Sequence, residues 1–161
     1  MSELVCKTLE LLAENKGSFV SAVKNIFNTR TMATLKISDL SVGDWVELRG
    51  NIYTIRSIYQ AIGSVPDEVV LSSKNISLGV TPVSELRPIP ITAEILEKNG
   101  WERNEEDEYM EYYGDPTSGI AHTKGTYHYR LEVPDVSAVC YFVHQLQHAL
   151  RLAGVDKEIN L

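Results

Sequence analysis

The stretch Ser41-Val-Gly-Asp-Trp-Val-Glu-Leu-Arg-Gly-Asn-Ile-Tyr-Thr-Ile-Arg-Ser-Ile58 decides the fold of the middle of this chain. Apolar and polar residues alternate over Trp45–Arg49 and again over Ile52–Ile58, which is the period of a half-buried strand. The Gly50-Asn51 pair between the two runs is typical of a hairpin turn. The stretch therefore predicts two antiparallel strands.

Three more short strand signals follow before Pro90, at Val69–Leu71, Ile76–Val80 and Val83–Ile89. Closing such a meander into a barrel would remove its free edges. The run from Leu40 to Val46 resembles the first strand of small SH3-like barrels. The resemblance predicts a small SH3-like β-barrel over residues 35–90, and a fold of this kind implies no particular function.

The segments on either side of this module show helical periodicity. Apolar residues recur at helical spacing between residues 3 and 28, which predicts a helical hairpin within an N-terminal module of residues 1–34. Lys16, Lys24 and Arg30 invite a helix-turn-helix interpretation, but three cations without a third helix favour packing or partner contact.

Residues 91–161 predict a third module made of a short helix, antiparallel strands and a long helix. Thr92 is a suitable N-cap for the short helix and Gly100 a suitable stop. Strand signals follow at residues 101–104, 109–113 and 126–133. The last helix is predicted over residues 135–153, with Gly154 as its stop, so the expected class is α+β.

The charge balance argues against nucleic acid as a partner. The chain has 15 basic and 22 acidic residues, and the 13 acidic and 6 basic residues of positions 91–161 account for the whole excess. Phosphate backbones repel such a surface. No apolar run reaches the length of a membrane span. Cys6 and Cys140 lie 134 positions apart and form no disulfide or metal motif, so a reducing cytoplasm is expected.

His144 and His148 are the candidate metal ligands, because histidines at i and i+4 of a helix project side by side and can share a zinc ion. A zinc peptidase needs a glutamate after the first histidine to activate water, and this chain has Gln145 there. A third ligand could come from His122, His128 or the acids of residues 105–108. We therefore expect no cofactor and favour a non-catalytic protein, with a zinc-dependent hydrolase as the alternative.

Helical phase divides the last helix into an apolar and a polar side. Val139, Val143, Leu146 and Leu150 fall on one side and are predicted to be core. The other side forms a predicted exposed stripe that, with two barrel aromatics, makes up the candidate partner-binding residues. These residues are Tyr141, His144, His148, Arg151, Trp45 and Tyr53.

The runs Lys36–Val46, Leu86–Trp101 and Val143–Gly154 resemble a family of small uncharacterised proteins of gut-dwelling anaerobic bacteria, their phages and mobile elements. The resemblance covers residues 36–161 and implies a small cytoplasmic accessory protein without an established activity. Members often carry Glu where this chain has Gln145. The resulting hypothesis is a protein-binding module that contacts another protein or itself, and a nucleic-acid-binding regulator is a second alternative.

Overall fold

The computed structural model describes residues 34–73, 76–104, 108–114, 118–134 and 136–161. Residues 34–161 form one compact unit. The helical hairpin predicted between residues 3 and 28 lies outside the described residues. No helix in the described part of the chain is both long and apolar enough to cross a lipid bilayer.

The first sheet is an antiparallel meander in the order β1–β2–β3–β4. Its strands are β1 (Trp45–Leu48), β2 (Asn51–Tyr59), β3 (Glu68–Ser73) and β4 (Ile76–Pro82). The first hairpin pairs Leu48 with Asn51, so Arg49 and Gly50 form its turn at φ +52° and +81°. Two positive φ values suit the right-handed twist of the strands. The four predicted strands of this sheet are therefore confirmed.

The predicted closed barrel is wrong, because β4 remains the last strand of an open four-stranded sheet. The fifth strand predicted over Val83–Ile89 is a 3-10 turn at Val83–Glu85, followed by a single bridge between Arg87 and Glu47. Pro88 lies within the predicted strand, and Pro82 and Pro90 flank it. Because proline has no backbone N–H to donate, it does not support a continuous ladder.

The second sheet is an antiparallel meander in the order β5–β6–β7–β8–β9. Its strands are β5 (Glu102–Asn104), β6 (Met110–Gly114), β7 (Gly119–Thr123), β8 (Tyr129–Val133) and β9 (Val136–Cys140). Along β8, Tyr129 and Leu131 are buried whereas Arg130 and Glu132 are exposed, as their alternation predicts. The sequence patterns did not predict β7 or β9.

The short helix α1 (Ala93–Lys98) confirms its sequence signals. The Thr92 hydroxyl accepts a hydrogen bond from the Ile95 backbone N–H at 3.3 Å. Gly100 follows the helix at φ +82°. Ile91, just before the N-cap, and Leu96, inside the helix, are buried in the same apolar cluster and so pack the start of the helix into the core.

The predicted long C-terminal helix over residues 135–153 is wrong in its first half. Helix α2 spans only Val143–Leu152, and residues 136–140 form β9. β9 pairs with β8 in a hairpin that aligns Leu131 with Ala138. Val136 and Val139 favour a strand there, and Pro134 sits in the turn. Gly154, at φ +69°, does end the helical region as expected.

The predicted fold class is therefore corrected to a mostly β arrangement of two open antiparallel sheets with two helices in the described residues. Each sheet has its own apolar cluster. The first contains Leu35, Leu40, Val46, Ile55, Val69, Leu71, Val83 and Leu86. The second is built on Trp101, Tyr113, Ile120, Leu131, Leu96 and the apolar side of α2.

The segment of residues 86–91 connects the two sheets through backbone hydrogen bonds. Arg87 and Glu47 each donate to the other's carbonyl at 2.9 Å, which covers part of the outer edge of β1. The Ile89 carbonyl accepts a hydrogen bond from the Val143 N–H at 2.8 Å, and the Ile91 N–H donates to the Tyr141 carbonyl at 3.2 Å. Tyr141 and Val143 lie just after β9. The linker thus pairs with the margins of both sheets.

Candidate functional site

The start of α2 is held by Gln145, the residue that replaces the glutamate of a zinc peptidase. Its Oε1 accepts hydrogen bonds from the backbone N–H groups of Tyr141 at 2.8 Å and Phe142 at 3.3 Å. These bonds satisfy backbone donors at a helix N-terminus that otherwise have no partner within the helix. Gln145 therefore has a capping role in this fold.

Gln147 joins α2 to the beginning of β1. Its Oε1 accepts a hydrogen bond from the Trp45 backbone N–H at 3.1 Å, and its Nε2 donates to the Gly43 carbonyl at 3.1 Å. One amide side chain thus satisfies a donor and an acceptor of the Gly43–Trp45 backbone. A side chain with this pairing acts as a bridge between the helix and the first sheet.

Asp44 is the centre of the candidate site. Its side chain is fully buried, and its Oδ2 accepts from the Ser41 backbone N–H at 2.7 Å. The same oxygen lies 2.7 Å from Nε2 of His148, and Nη1 of Arg151 donates to Oδ1 at 3.0 Å. A buried carboxylate needs such partners to offset its desolvation.

The close approach of α2 also explains Gly43. This residue has φ +89°, and a Cβ built on it would lie 3.4 Å from Nη2 of Arg151. A larger residue would be strained by its backbone angle and would crowd the guanidinium. We define the junction as Gly43, Asp44, Gln147, His148 and Arg151.

His144 lies on the inner side of α2, so its predicted exposure is wrong. Only 2% of the residue is accessible, and its Nδ1 has no hydrogen-bond partner among the residues that the structure describes. Its ring lies parallel to that of Phe142, with an angle of 7° between the planes and centroids 5.9 Å apart. Burial lowers the pKa of His144, the positive charge of His148 acts in the same direction, and Asp44 and Asp39 oppose them. The ring is therefore favoured in its neutral form.

Helical phase misplaced His144 because it assumed a single buried side, whereas α2 contacts both β9 and β1. Val143, Leu146 and Leu150 are buried as predicted, whereas Val139, also predicted to be core, lies on β9 and is 51% exposed. The polar side is partly covered by the first sheet. His148 and Arg151 remain 34% and 47% exposed in their side chains while they contact Asp44.

The two candidate metal ligands do not share a common partner. The rings of His144 and His148 have centroids 6.1 Å apart and planes at 79°, and Nε2 of His148 is directed at Asp44. Across the described ranges, no group of three or more His, Cys, Asp or Glu side chains is placed to hold a metal ion.

A cleft of about 490 Å³ lies beside the junction. Its walls are the turn before β1, the end of α2 and the C-terminal segment of residues 155–160. Trp45 fixes that segment by donating from Nε1 to the Ile159 carbonyl at 2.6 Å. Trp45 and Arg151, two of the predicted binding residues, both line this cleft.

The other predicted binding residues lie elsewhere. Tyr141 is 37% exposed, and its ring centroid is 5.8 Å from that of His128. Tyr53 packs against the core of the first sheet. Neither residue lines the cleft, so the structure does not bring the six candidates together as one surface.

A second polar cluster, which the sequence patterns did not reveal, lies on the second sheet around Glu111. Arg103 and the Tyr113 hydroxyl donate to the Glu111 carboxylate, and Nδ1 of His122 lies 3.2 Å from it. Burial alone would raise the pKa of Glu111, but the hydrogen bonds from His122, Tyr113 and Arg103 outweigh it and lower the pKa. His122 also contacts the Thr126 carbonyl at 3.1 Å and so serves this cluster.

Comparisons with protein-family models, with curated proteins and with solved structures gave no match to this chain.

Proposed function

We propose that this chain is a non-catalytic binding module for another protein. The observation that supports this proposal is the junction at Asp44. The fully buried Asp44 carboxylate contacts both His148 and Arg151, while the side chains of Gln145 and Gln147 hydrogen-bond to backbone groups. His148, one of the residues that suggested chemistry in the sequence, is therefore used together with Gln147 and Arg151 to hold the helix against the first sheet, and Gln145 caps the helix.

The cleft beside the junction is the proposed binding site. Its walls carry both charge signs, from Arg151 and Lys157 on one hand and Asp156 and Glu158 on the other. Val42 adds apolar surface at its margin and is 59% exposed. Small-molecule sites are mostly apolar with few polar groups. A mixed, charged wall suits an extended protein segment that carries charges of its own.

The proposed setting is an accessory protein of a phage or mobile element acting in a reducing cytoplasm. The setting depends on the family resemblance of residues 36–161 and on the cysteine usage. Cys140 is a free, buried thiol, and burial raises its pKa to about 11. A thiol that stays protonated at neutral pH is poorly reactive, which is consistent with a structural cysteine.

The experiment compares two variants in which the same change, from an exposed valine to arginine, is made at different places: Val42→Arg and Val65→Arg. Val42 borders the cleft, whereas Val65 is 54% exposed in the loop between β2 and β3 and lies away from it. Peptides are first selected against the unmodified chain from a random display library, and their Kd is measured by fluorescence anisotropy.

We expect Val42→Arg to raise the Kd of the selected peptides by about tenfold or more, which corresponds to about 1.4 kcal/mol. Val65→Arg should leave it unchanged. Equal affinities for both variants would contradict the proposed site. Native mass spectrometry of the same preparation tests the alternative, since one tightly bound zinc per chain together with hydrolytic activity would support the hydrolase instead.

A further inference from the structure

The edges of the two sheets differ in how they are protected. Natural proteins cover, shorten or charge the outer strands of a sheet, because an open edge pairs with other strands. In the described residues, the outer strands are β1 and β4 in the first sheet and β5 and β9 in the second. Each of these four strands is open to pairing unless its edge is protected.

Three of these strands have a recognisable protection. The edge of β1 bonds to Arg87, and the chain continuing β9 bonds to the linker near Pro90. β5 has only three residues, all exposed, and two of them are the charged Glu102 and Arg103. The remaining strand, β4, has seven residues and no charged side chain, and a proline, Pro82, stands only at its last position.

The register shows which backbone groups β4 presents at its outer edge. The Val83 N–H donates to the Asp67 carbonyl at 2.9 Å, and the same register aligns Val80 with Val70. Because hydrogen-bonded and non-hydrogen-bonded pairs alternate in an antiparallel ladder, the N–H and C=O of Val80 point away from β3. The Val80 side chain is also 56% exposed.

We propose that β4 pairs with β4 of a second copy of this chain, antiparallel and with the two-fold axis at Val80. Val80 then exchanges both backbone hydrogen bonds with its counterpart, and the two valine side chains come into contact. Gly79 is opposite Thr81. Leu78 is opposite Pro82, which has no N–H, so that pair makes a single hydrogen bond, from the Leu78 N–H to the Pro82 carbonyl. No charged residue of either strand meets a like charge.

The surroundings of β4 favour a second copy as the occupant. The chain has a net charge of −7, so two copies repel each other over most of their surfaces, but β4 is neutral. A groove of about 290 Å³ runs beside Val80, and the Arg49–Glu85 ion pair at 2.9 Å borders it. Because this ion pair borders the groove, a two-fold axis at Val80 brings one positive and one negative side chain from each copy to the border of the proposed interface.

The test measures the mass of the full chain by sedimentation velocity over a wide concentration range, with Val80→Lys and Val139→Lys as a matched pair. Val139 is 51% exposed and lies on β9, the other uncharged outer strand. We expect a dimer whose dissociation constant rises about tenfold or more in Val80→Lys and is unchanged in Val139→Lys. Thermal melting of both variants checks that they fold.

Hydrogen exchange gives a second measurement that needs no substitution. The Val80 amide, which faces outward in a single copy, should become protected as the protein concentration increases. A chain that stays monomeric at every concentration overturns the proposal. So does a dimer that is disrupted by Val139→Lys and not by Val80→Lys, or a Val80 amide whose protection does not depend on concentration.

Discussion

Asp44 explains why particular polar residues recur along α2. A carboxylate without solvent contact must be compensated by several donors. Ser41 supplies one from the backbone, and His148 and Arg151 supply the others from the helix. The spacing of three between His148 and Arg151 brings both side chains to the same side of α2. Of the histidine pair that resembled a metal site, only His148 contacts this buried acid, and Arg151 is the second partner from the helix.

His144 should give the folded protein a pH-dependent stability. Its pKa is lowered in the folded state chiefly by burial, so protonation favours the unfolded chain. The stabilisation of the folded state by the neutral His144 ring is complete above the ordinary histidine pKa of about 6.5. It is lost as the pH falls from there through the lowered pKa of His144. His144→Phe keeps an aromatic ring against Phe142 and should reduce this loss, measured as the urea midpoint between about pH 7 and pH 5.

His128→Phe is the control for that measurement, because His128 is only half-buried and lies beside Tyr141. This variant should keep the pH slope of the unmodified chain. The groups that face His144 are Asp44, His148 and Asp39, and all remain in both variants. An unchanged slope in His144→Phe would show that burial of this ring does not control the acid response.

Some residue roles could be predicted from the sequence, and others could not. Thr92 and Gly100 were identified correctly because capping and left-handed turns depend on local geometry. The burial of His144 could not be identified in this way. Its environment depends on β1, which lies about a hundred positions earlier in the chain, and a helical projection contains no information about such contacts.

At the scale of elements, helix α2 is defined by two glutamines with different tasks. Gln145 only accepts hydrogen bonds from backbone N–H groups, whereas Gln147 must accept one and donate one. A carboxylate can replace the first amide but not the second. This difference gives a matched pair of substitutions in the same helix.

We expect Gln147→Glu to lower the free energy of unfolding by about 2 kcal/mol, because a carboxylate oxygen would face the Gly43 carbonyl. Gln145→Glu should instead raise it by roughly 0.3–1 kcal/mol, because it keeps both hydrogen bonds and adds negative charge at the start of the helix. Urea unfolding followed by circular dichroism measures both. Similar losses for the two variants would be inconsistent with the assigned roles.

Strand periodicity predicted the first sheet well and the second only in part. β1 and β2 are rich in β-branched and aromatic residues, and a tight turn joins them. Residues 136–140 combine with the following apolar residues into a pattern that also fits a helix. The pairing of Ala138 with Leu131 decides in favour of a strand, and that pairing is a tertiary contact.

At the scale of the whole molecule, residues 34–161 are held as one unit by two connections between the sheets. One is the backbone pairing of the linker with β1 and with the chain after β9. The other is the junction, in which side chains of α2 bond to the Gly43–Trp45 segment. The sequence predicted separate modules because neither connection produces a local pattern.

The central claim is that the polar side of α2 joins the two sheets through Asp44. A double-mutant cycle of Asp44→Asn and His148→Gln, measured by urea unfolding near neutral pH, tests it most directly. We predict that the two substitutions are coupled by about 1–2 kcal/mol, because each disrupts the same 2.7 Å hydrogen bond between Nε2 of His148 and Oδ2 of Asp44. Losses that add to within about 0.3 kcal/mol would contradict the claim, since residues that share no interaction behave additively.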